Sequence, residues 1–430
     1  METTAIVKIL LIFFGVLASS RLKVPLGIAL VGGGLGLEIW AGKGTAALFL
    51  DLGHALSRPE LWLLVLNITL ILEFGYFMAE ESNSNAIIQA AQRWGGRHGR
   101  LFSLILIPAA IGLVPMPGGA LFSAPMIGQT AKEATWTPAW KAAVNYWFRH
   151  TLEYWWPLYP VVIVTLSIFT IDVWQFMAAQ VPFTLISIVA GYFFLLRRHT
   201  RTLRITPIGA PNNHAALFQV LMPILLIVFS TLLLPPFFRQ LFPPANEATT
   251  KLLAMLTGLL AGLFLLNKSR KPGSRRLFSF LFTRKTGNVI LTLAGVMLFQ
   301  ALLESSGLLP QAARQLTATH MPLPVIIGFL PFLAGLVTGI AIGYAGTAFP
   351  LVVGLMGVDG TGLTPISTLV LAFTMGYAGM MLSPVHLCFI LTRQYFATSY
   401  FKIFPYLLPC VLSVAASGIA LHLLLKIPGW

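Results

Sequence analysis

The sequence predicts an all-α polytopic membrane protein made of two inverted repeats, each with five transmembrane helices, one re-entrant hairpin and one broken helix. Three observations predict it. Of the 430 residues, 57% are hydrophobic and only 10% are charged, where soluble domains carry about a quarter charged residues. Twelve apolar segments recur along the whole chain, most of them long enough to cross roughly 30 Å of hydrocarbon. Finally, PAAIGLV at 108–114 returns as PFLAGLV at 331–337, which marks an internal repeat. The net charge of +15 therefore reads loop by loop as membrane orientation rather than as a nucleic-acid footprint.

The segments are 4–20, 24–41, 61–79, 101–128, 143–171, 173–196, 216–235, 250–267, 288–303, 324–357, 364–392 and 403–425. The first imitates a signal peptide, with Ala18-Ser19-Ser20 as a cleavage-like site. Glu2 and the lack of a basic leader make it a first span instead. Gly32-Gly33-Gly34 in the second reads as close helix packing. Segments 101–128, 143–171, 324–357 and 364–392 are too long for one simple crossing and hold Pro, in three of them with Gly, in their interiors. They are the fourth and fifth of each set of six. Further matches keep step: Glu81-Ser82 with Glu304-Ser305 at an offset of 223, QAA at 89–91 with QAA at 311–313 at 222, Pro125 with Pro350 at 225, Pro157 with Pro384 at 227. The basic loop 197–214 separates a first repeat, 1–205, from a second, 206–430. Cys388 and Cys410 fall inside apolar runs without metal-ligand spacing and read as buried hydrophobes rather than a disulfide.

Treating 101–128 and 324–357 as re-entrant hairpins gives each half five crossings, so the second half is inverted. With both termini external, the cytoplasmic loops hold twenty Lys and Arg residues against six outside, as expected for the cytoplasmic (inner) membrane. Making both hairpins full crossings would also keep the basic loop 268–287 inside, so the count supports re-entry without fixing it. Non-helical backbone at membrane depth survives only where protein or a watery cavity satisfies it. Broken elements at matching places in two repeats point to the midplane site of a secondary transporter.

The segments PMPGGALFSAPM (115–126), FRHTLEYWWPLYP (148–160), GYAGTAFPL (343–351) and LSPVHLCFILT (382–392), set in this plan, carry a resemblance. The chain resembles the ion transporter superfamily, which includes gluconate, citrate, dicarboxylate and arsenite permeases and the large membrane subunits of TRAP transporters. The four segments most resemble an uncharacterised branch of the DUF401 type. The resemblance implies a substrate site between two hairpin tips and the unwound centres of two broken helices. The sodium-dependent dicarboxylate branch has Ser-Asn-Thr at its tips; this chain has Pro117-Gly118-Gly119 and Gly343-Tyr344-Ala345-Gly346-Thr347. That departure argues against sodium coupling and dicarboxylate specificity.

Four charged residues read as lying well inside spans: Lys8, Glu73, Arg149 and Glu153. A charge at that depth costs at least ~2.5–3.5 kcal/mol, so each needs a partner or a task. Lys8 is near enough to its helix end to snorkel, and Glu73, with Asn67 and Thr69 nearby, reads as structural. Arg149 and Glu153 are four residues apart, on one helical face, and either pair with each other or serve a cavity. Arg149 offers an oxyanion a planar fork of donors, and Glu153 or His150 can carry a coupling proton. On the other broken segment stand Ser383 and His386, with Thr374 upstream. The tips add Pro117, Gly118, Gly119 and Ser123 on one side and Gly343, Gly346 and Thr347 on the other, for close backbone approach and hydroxyl contacts.

The expected function is alternating-access transport of a small anionic organic solute, coupled to protons, with sodium the alternative ion. Expected partners are the solute, the proton and the bilayer, with a homodimer allowed, and neither nucleic acid nor a cofactor is implied. A TRAP-type permease subunit working with a solute-binding protein is the runner-up. An intramembrane enzyme using His150 and Glu153 ranks last: no His-Glu-x-x-His or Gly-x-Ser-x-Gly is present, and the repeat puts Gly376 and Met380 opposite Arg149 and Glu153.

Overall fold

Helices occupy every one of the twelve apolar segments. The computed structural model describes residues 4–78, 100–113, 119–131, 136–197, 214–243, 246–268, 283–318, 322–356 and 363–426, and these contain helices but no strand. In chain order they are α1 (Ala5–Arg21), α2 (Leu26–Trp40), α3 (Thr45–Ser57), α4 (Pro59–Met78), α5 (Arg100–Gly112), α6 (Ala120–Thr130), α7 (Pro138–Arg149), α8 (Pro160–Phe169) and α9 (Val173–Gly191). A π-helical turn, Tyr192–Leu196, extends α9. Then come α10 (His214–Leu233), α11 (Pro235–Leu241), α12 (Glu247–Lys268), α13 (Arg284–Ser305), α14 (Leu308–Ala318), α15 (Leu323–Thr338), α16 (Ala341–Met356), α17 (Pro365–Met381), α18 (Leu387–Tyr395) and α19 (Tyr400–Leu424).

Five stretches are long and apolar enough to cross a membrane: α4, Val173–Leu196, α12, Thr286–Ser305 within α13, and α19. Leu221–Leu233 and Pro235–Leu241 pass the same test only as a pair, bent by 55°. The apolar helices of 10–17 residues include Leu101–Gly112, α8, α15, α16 and α17, where the sequence places hairpins and broken helices. The proposed repeat boundary at 205/206, the matches at 81–82 and 89–91, and the first hairpin tip at 114–118 lie outside the described residues.

Local chemistry explains where the broken helices start. Thr137 caps α7 by accepting from the Trp140 amide at 3.2 Å, with Pro138 in the first turn. Thr364 caps α17 in a capping box with Ser367, with Pro365 in the first turn. The two Thr-Pro pairs are 227 residues apart. Such a cap stabilises its helix by about 1 kcal/mol. Pro157, Pro160 and Pro384 then forbid an uninterrupted helix. The chain from His150 to Tyr159 and from Leu382 to His386 is accordingly unwound.

Between α15 and α16 the turn is made at Gly339, whose φ of +66° suits glycine and few other residues. Gly343, Gly346 and Thr347 therefore lie in the first two turns of α16 rather than at the tip. A Cβ on Gly346 would stand 2.1 Å from Val296 Cγ2, so this glycine lets α16 close on α13.

Three helices escape a search for apolar runs: α3, α11 and α14. Helix α3 leaves Phe49 and Leu50 exposed and is tied down at one end. Lys43 pairs with Asp51 and, at 3.1 Å, with Glu38, and Ser305 of α13 donates to the same Glu38 carboxylate. The hydrogen bond from Lys43 holds the Asp51 carboxyl below its ordinary value. A carboxylate depressed in this way contributes stability above its unfolded pKa, and the contribution is lost as pH falls through the folded value. Hydrogen exchange in α3, corrected for intrinsic rates, is expected to lose protection below about pH 4. Asp51→Asn should show the weaker protection already at neutral pH; unchanged protection in that variant would exclude the tether.

Candidate functional site

Helix α7 ends with Arg149, and His150 is its first residue beyond, in the bridge conformation with φ −103° and ψ 2°. A basic residue there also favours the negative end of the helix dipole. Helix α18 starts after His386, so the two unwound stretches each place a histidine at a helix end. Those rings meet: His150 Nε2 lies 3.1 Å from His386 Nε2. His150 Nε2 is also 3.8 Å from Glu153 Oε1. Arg149 donates from a guanidinium nitrogen to the Tyr159 hydroxyl at 3.1 Å. Arg149, His150, Glu153, Ser383 and His386 are all buried. Glu153, Arg149 and Tyr159 are thus neighbours in one buried cluster, with the carboxylate also near His150.

Unwound backbone inside an apolar body must find partners, and here side chains provide them. The Tyr377 hydroxyl donates to His150 O at 3.1 Å and the Thr184 hydroxyl to Thr151 O at 2.6 Å. In the other break, Tyr146 donates to Met381 O at 3.3 Å and Tyr400 to Leu382 O at 2.7 Å. Tyr146 and Tyr377 so serve each other's break across the two halves.

Each break is also laced to a hairpin. Tyr159 donates to Gly112 O at 2.5 Å, and His386 Nδ1 lies 2.7 Å from Gly339 O. Both contacts join residues 47 apart, and the two pairs are themselves 227 residues apart. Ser383 donates to Leu336 O at 2.8 Å, again across 47 residues, and Trp156 donates to Leu113 O at 2.8 Å. Glycines allow the close approach: a Cβ on Gly112 would meet Arg149 O at 2.4 Å, and one on Gly335 would meet Gly376 O at 2.3 Å.

The remaining candidates divide. Pro117 and Gly118 lie outside the described residues. Gly119 is buried at the start of α6, and Ser123 donates to Ala120 O at 3.3 Å. That carbonyl also accepts from Asn145 of α7, whose amide reaches Thr392 of α18 at 3.3 Å. Thr347 and Thr374 bond their own helices, to Gly343 O and Val370 O, both at 2.7 Å. Away from the histidines, Lys8 reaches Trp40 O at the end of α2 at 2.9 Å. Asn67 donates to Leu252 O at 3.0 Å and Thr69 to Val65 O at 2.6 Å, as structural groups do. Glu73 is buried in α4.

Sequence reasoning overlooked Glu38, fully buried near the end of α2. It also dismissed Cys388, whose thiol lies within 4.8 Å of the ligating nitrogens of His150 and His386. The His-x-Cys spacing of 386–388 was the available signal. No curated protein matches the chain. A family model described as "Protein of unknown function (DUF401)" matches residues 6–424. That match runs through both breaks and all the residues gathered between them, so the chain belongs to the DUF401 family.

Proposed function

We propose that the chain is a secondary active transporter that moves a small anionic organic solute across the cytoplasmic membrane by alternating access, coupled to protons. One observation carries the reading: two interrupted helices bring a guanidinium, two imidazoles and a carboxylate together in a buried centre. An enclosed anion site and a proton-carrying pair are what such a set of groups is suited to form. Arg149 binds the solute, assisted by Ser383 and the hairpin ends, and Glu153 with His150 takes and releases the proton. The ion transporter superfamily plan of two inverted repeats, 1–205 and 206–430, belongs to the same proposal, as do external termini. The recurrence of the Thr-Pro caps and of the 47-residue lacing supports it. On this reading the chain is a carrier rather than an enzyme, and TRAP-type dependence on a solute-binding protein is the second outcome of the test.

That test is uptake into proteoliposomes over a panel of radiolabelled organic anions and cations, with proton and sodium gradients imposed separately. Saturable uptake driven by the pH gradient, by the chain alone, is the expected result. Uptake that appears only with an added binding protein would support the TRAP-type reading, and uptake of cations alone would exclude Arg149 as the solute's partner. Arg149→Lys keeps the charge but loses the planar fork, and is expected to lower uptake about tenfold or more, the equivalent of one charge-assisted hydrogen bond. A fully active Arg149→Ala/Glu153→Ala double variant would reduce the two residues to a neutralising pair.

A further inference from the structure

We infer that His150, His386 and Cys388 form a site for a divalent transition-metal ion of the zinc type, with Glu153 in reach as a fourth ligand. The argument starts from which ring nitrogen carries the proton. His150 Nδ1 lies 2.7 Å from Tyr146 O, and His386 Nδ1 lies 2.7 Å from Gly339 O. A carbonyl oxygen only accepts, so each Nδ1 must donate, and each neutral ring then has a bare Nε2 lone pair. Those two lone pairs face each other across 3.1 Å. Two acceptors cannot satisfy one another, and a cation between them would satisfy both.

A metal ion fits that gap. Bonds of about 2.0–2.1 Å to both nitrogens span 3.1 Å at an N–metal–N angle of about 100°, near tetrahedral. The Nδ1-to-carbonyl bonds are the supporting contacts that metal-bound histidines use to fix their ring and tautomer. Cys388 adds the preference for a soft or borderline ion. Its sulfur lies within 4.8 Å of both nitrogens and needs to move by roughly 1 Å to complete bonds near 2.3 Å. It also stands in the first turn of α18, where the helix dipole favours the thiolate that binds metal. Glu153 Oε1, 3.8 Å from His150 Nε2, supplies the oxygen. Two neutral imidazoles, a thiolate and a carboxylate around a divalent ion sum to zero charge, the state an apolar interior tolerates best. A proton shared by the facing nitrogens is the competing occupant, and the cobalt titration separates the two.

This inference does not rest on transport: a metal held by His150 and Glu153 would leave neither free to carry the coupling proton, so the binding test stands apart from the uptake test. The purified full chain in detergent is stripped with a chelator and titrated with Co2+ without oxygen. Expected are one Co2+ per chain, the d–d absorption of tetrahedral cobalt, and a thiolate-to-cobalt charge-transfer band, all displaced by Zn2+. Cys388→Ser should lose the charge-transfer band while keeping cobalt bound more weakly, and His386→Ala should weaken binding by more than about 100-fold. Sharp thermal unfolding of each sample shows that it is folded. Folded wild-type chain that binds no Co2+ or Zn2+, cobalt bound without the charge-transfer band, or binding unchanged in both variants would each overturn the site.

Discussion

Glu153→Gln is expected to abolish solute uptake driven by a pH gradient while leaving solute exchange intact. Glutamine keeps the size and one oxygen of the side chain facing His150 Nε2 at 3.8 Å, but it cannot take up a proton. Net uptake requires the empty carrier to return after releasing its proton, and that step is lost. Exchange of labelled for unlabelled solute never passes through the empty carrier, so it survives. Uptake and counterflow measured in the same vesicles separate the two. Uptake in the wild-type chain that needs sodium and ignores the pH gradient would make Glu153 a fixed counter-charge for its neighbours.

The largest structural effect is expected from Gly379→Ala. Here α17 crosses α15 so closely that a Cβ would stand 1.9 Å from Phe332 O and 3.0 Å from the Leu336 amide nitrogen. Both are backbone atoms, so no rotamer change relieves the clash and the helices must part. Overpacking of this kind costs ~1–3 kcal/mol, and parting α15 from α17 also pulls Leu336 O away from Ser383. A marked fall in unfolding temperature in detergent is expected, together with loss of uptake. Gly32→Ala is the matched control: nothing lies within 4 Å of its Cβ position, and alanine favours a helix over glycine by up to about 1 kcal/mol. Equal stability of the two variants would show that the close crossing is not obligatory.

Much of the scaffold could be read from the sequence because it depends on local chemistry. Apolar runs set the helices, and Pro157 and Pro384 set the breaks. Gly339, not Gly343 or Gly346, makes the second turn, because a left-handed backbone decides the position and composition alone does not show φ. Amphipathic α14 and polar-faced α3 do not stand out as apolar runs. The meeting of His150 with His386 spans 236 residues, and no periodicity announces a contact of that kind. Cys388 looked like an ordinary buried thiol because His150, which completes the group with His386, arrives from another helix. For Glu153 the sequence left two readings open, a pair with Arg149 or a cavity role beside His150; α7 ends at Arg149, and the turn that follows brings the carboxylate within 3.8 Å of His150 Nε2.

The lacing of each break to its hairpin has a mechanical consequence. Separating Tyr159 from Gly112, or His386 from Gly339, would take a hydrogen bond from a buried carbonyl. If the chain is the carrier proposed above, hairpin and break are expected to travel as one stiff piece on each side of the histidine contact. With the crossed Tyr146 and Tyr377 bonds and the Asn145–Thr392 bond, the His150–His386 contact is a polar bearing on which the two pieces touch. On that reading a cation held there would act as a pin, fixing the pieces in one relative orientation, and its departure would free them to rock. The fit of a single ion or proton between two nitrogens would then be felt at both rims of the protein at once.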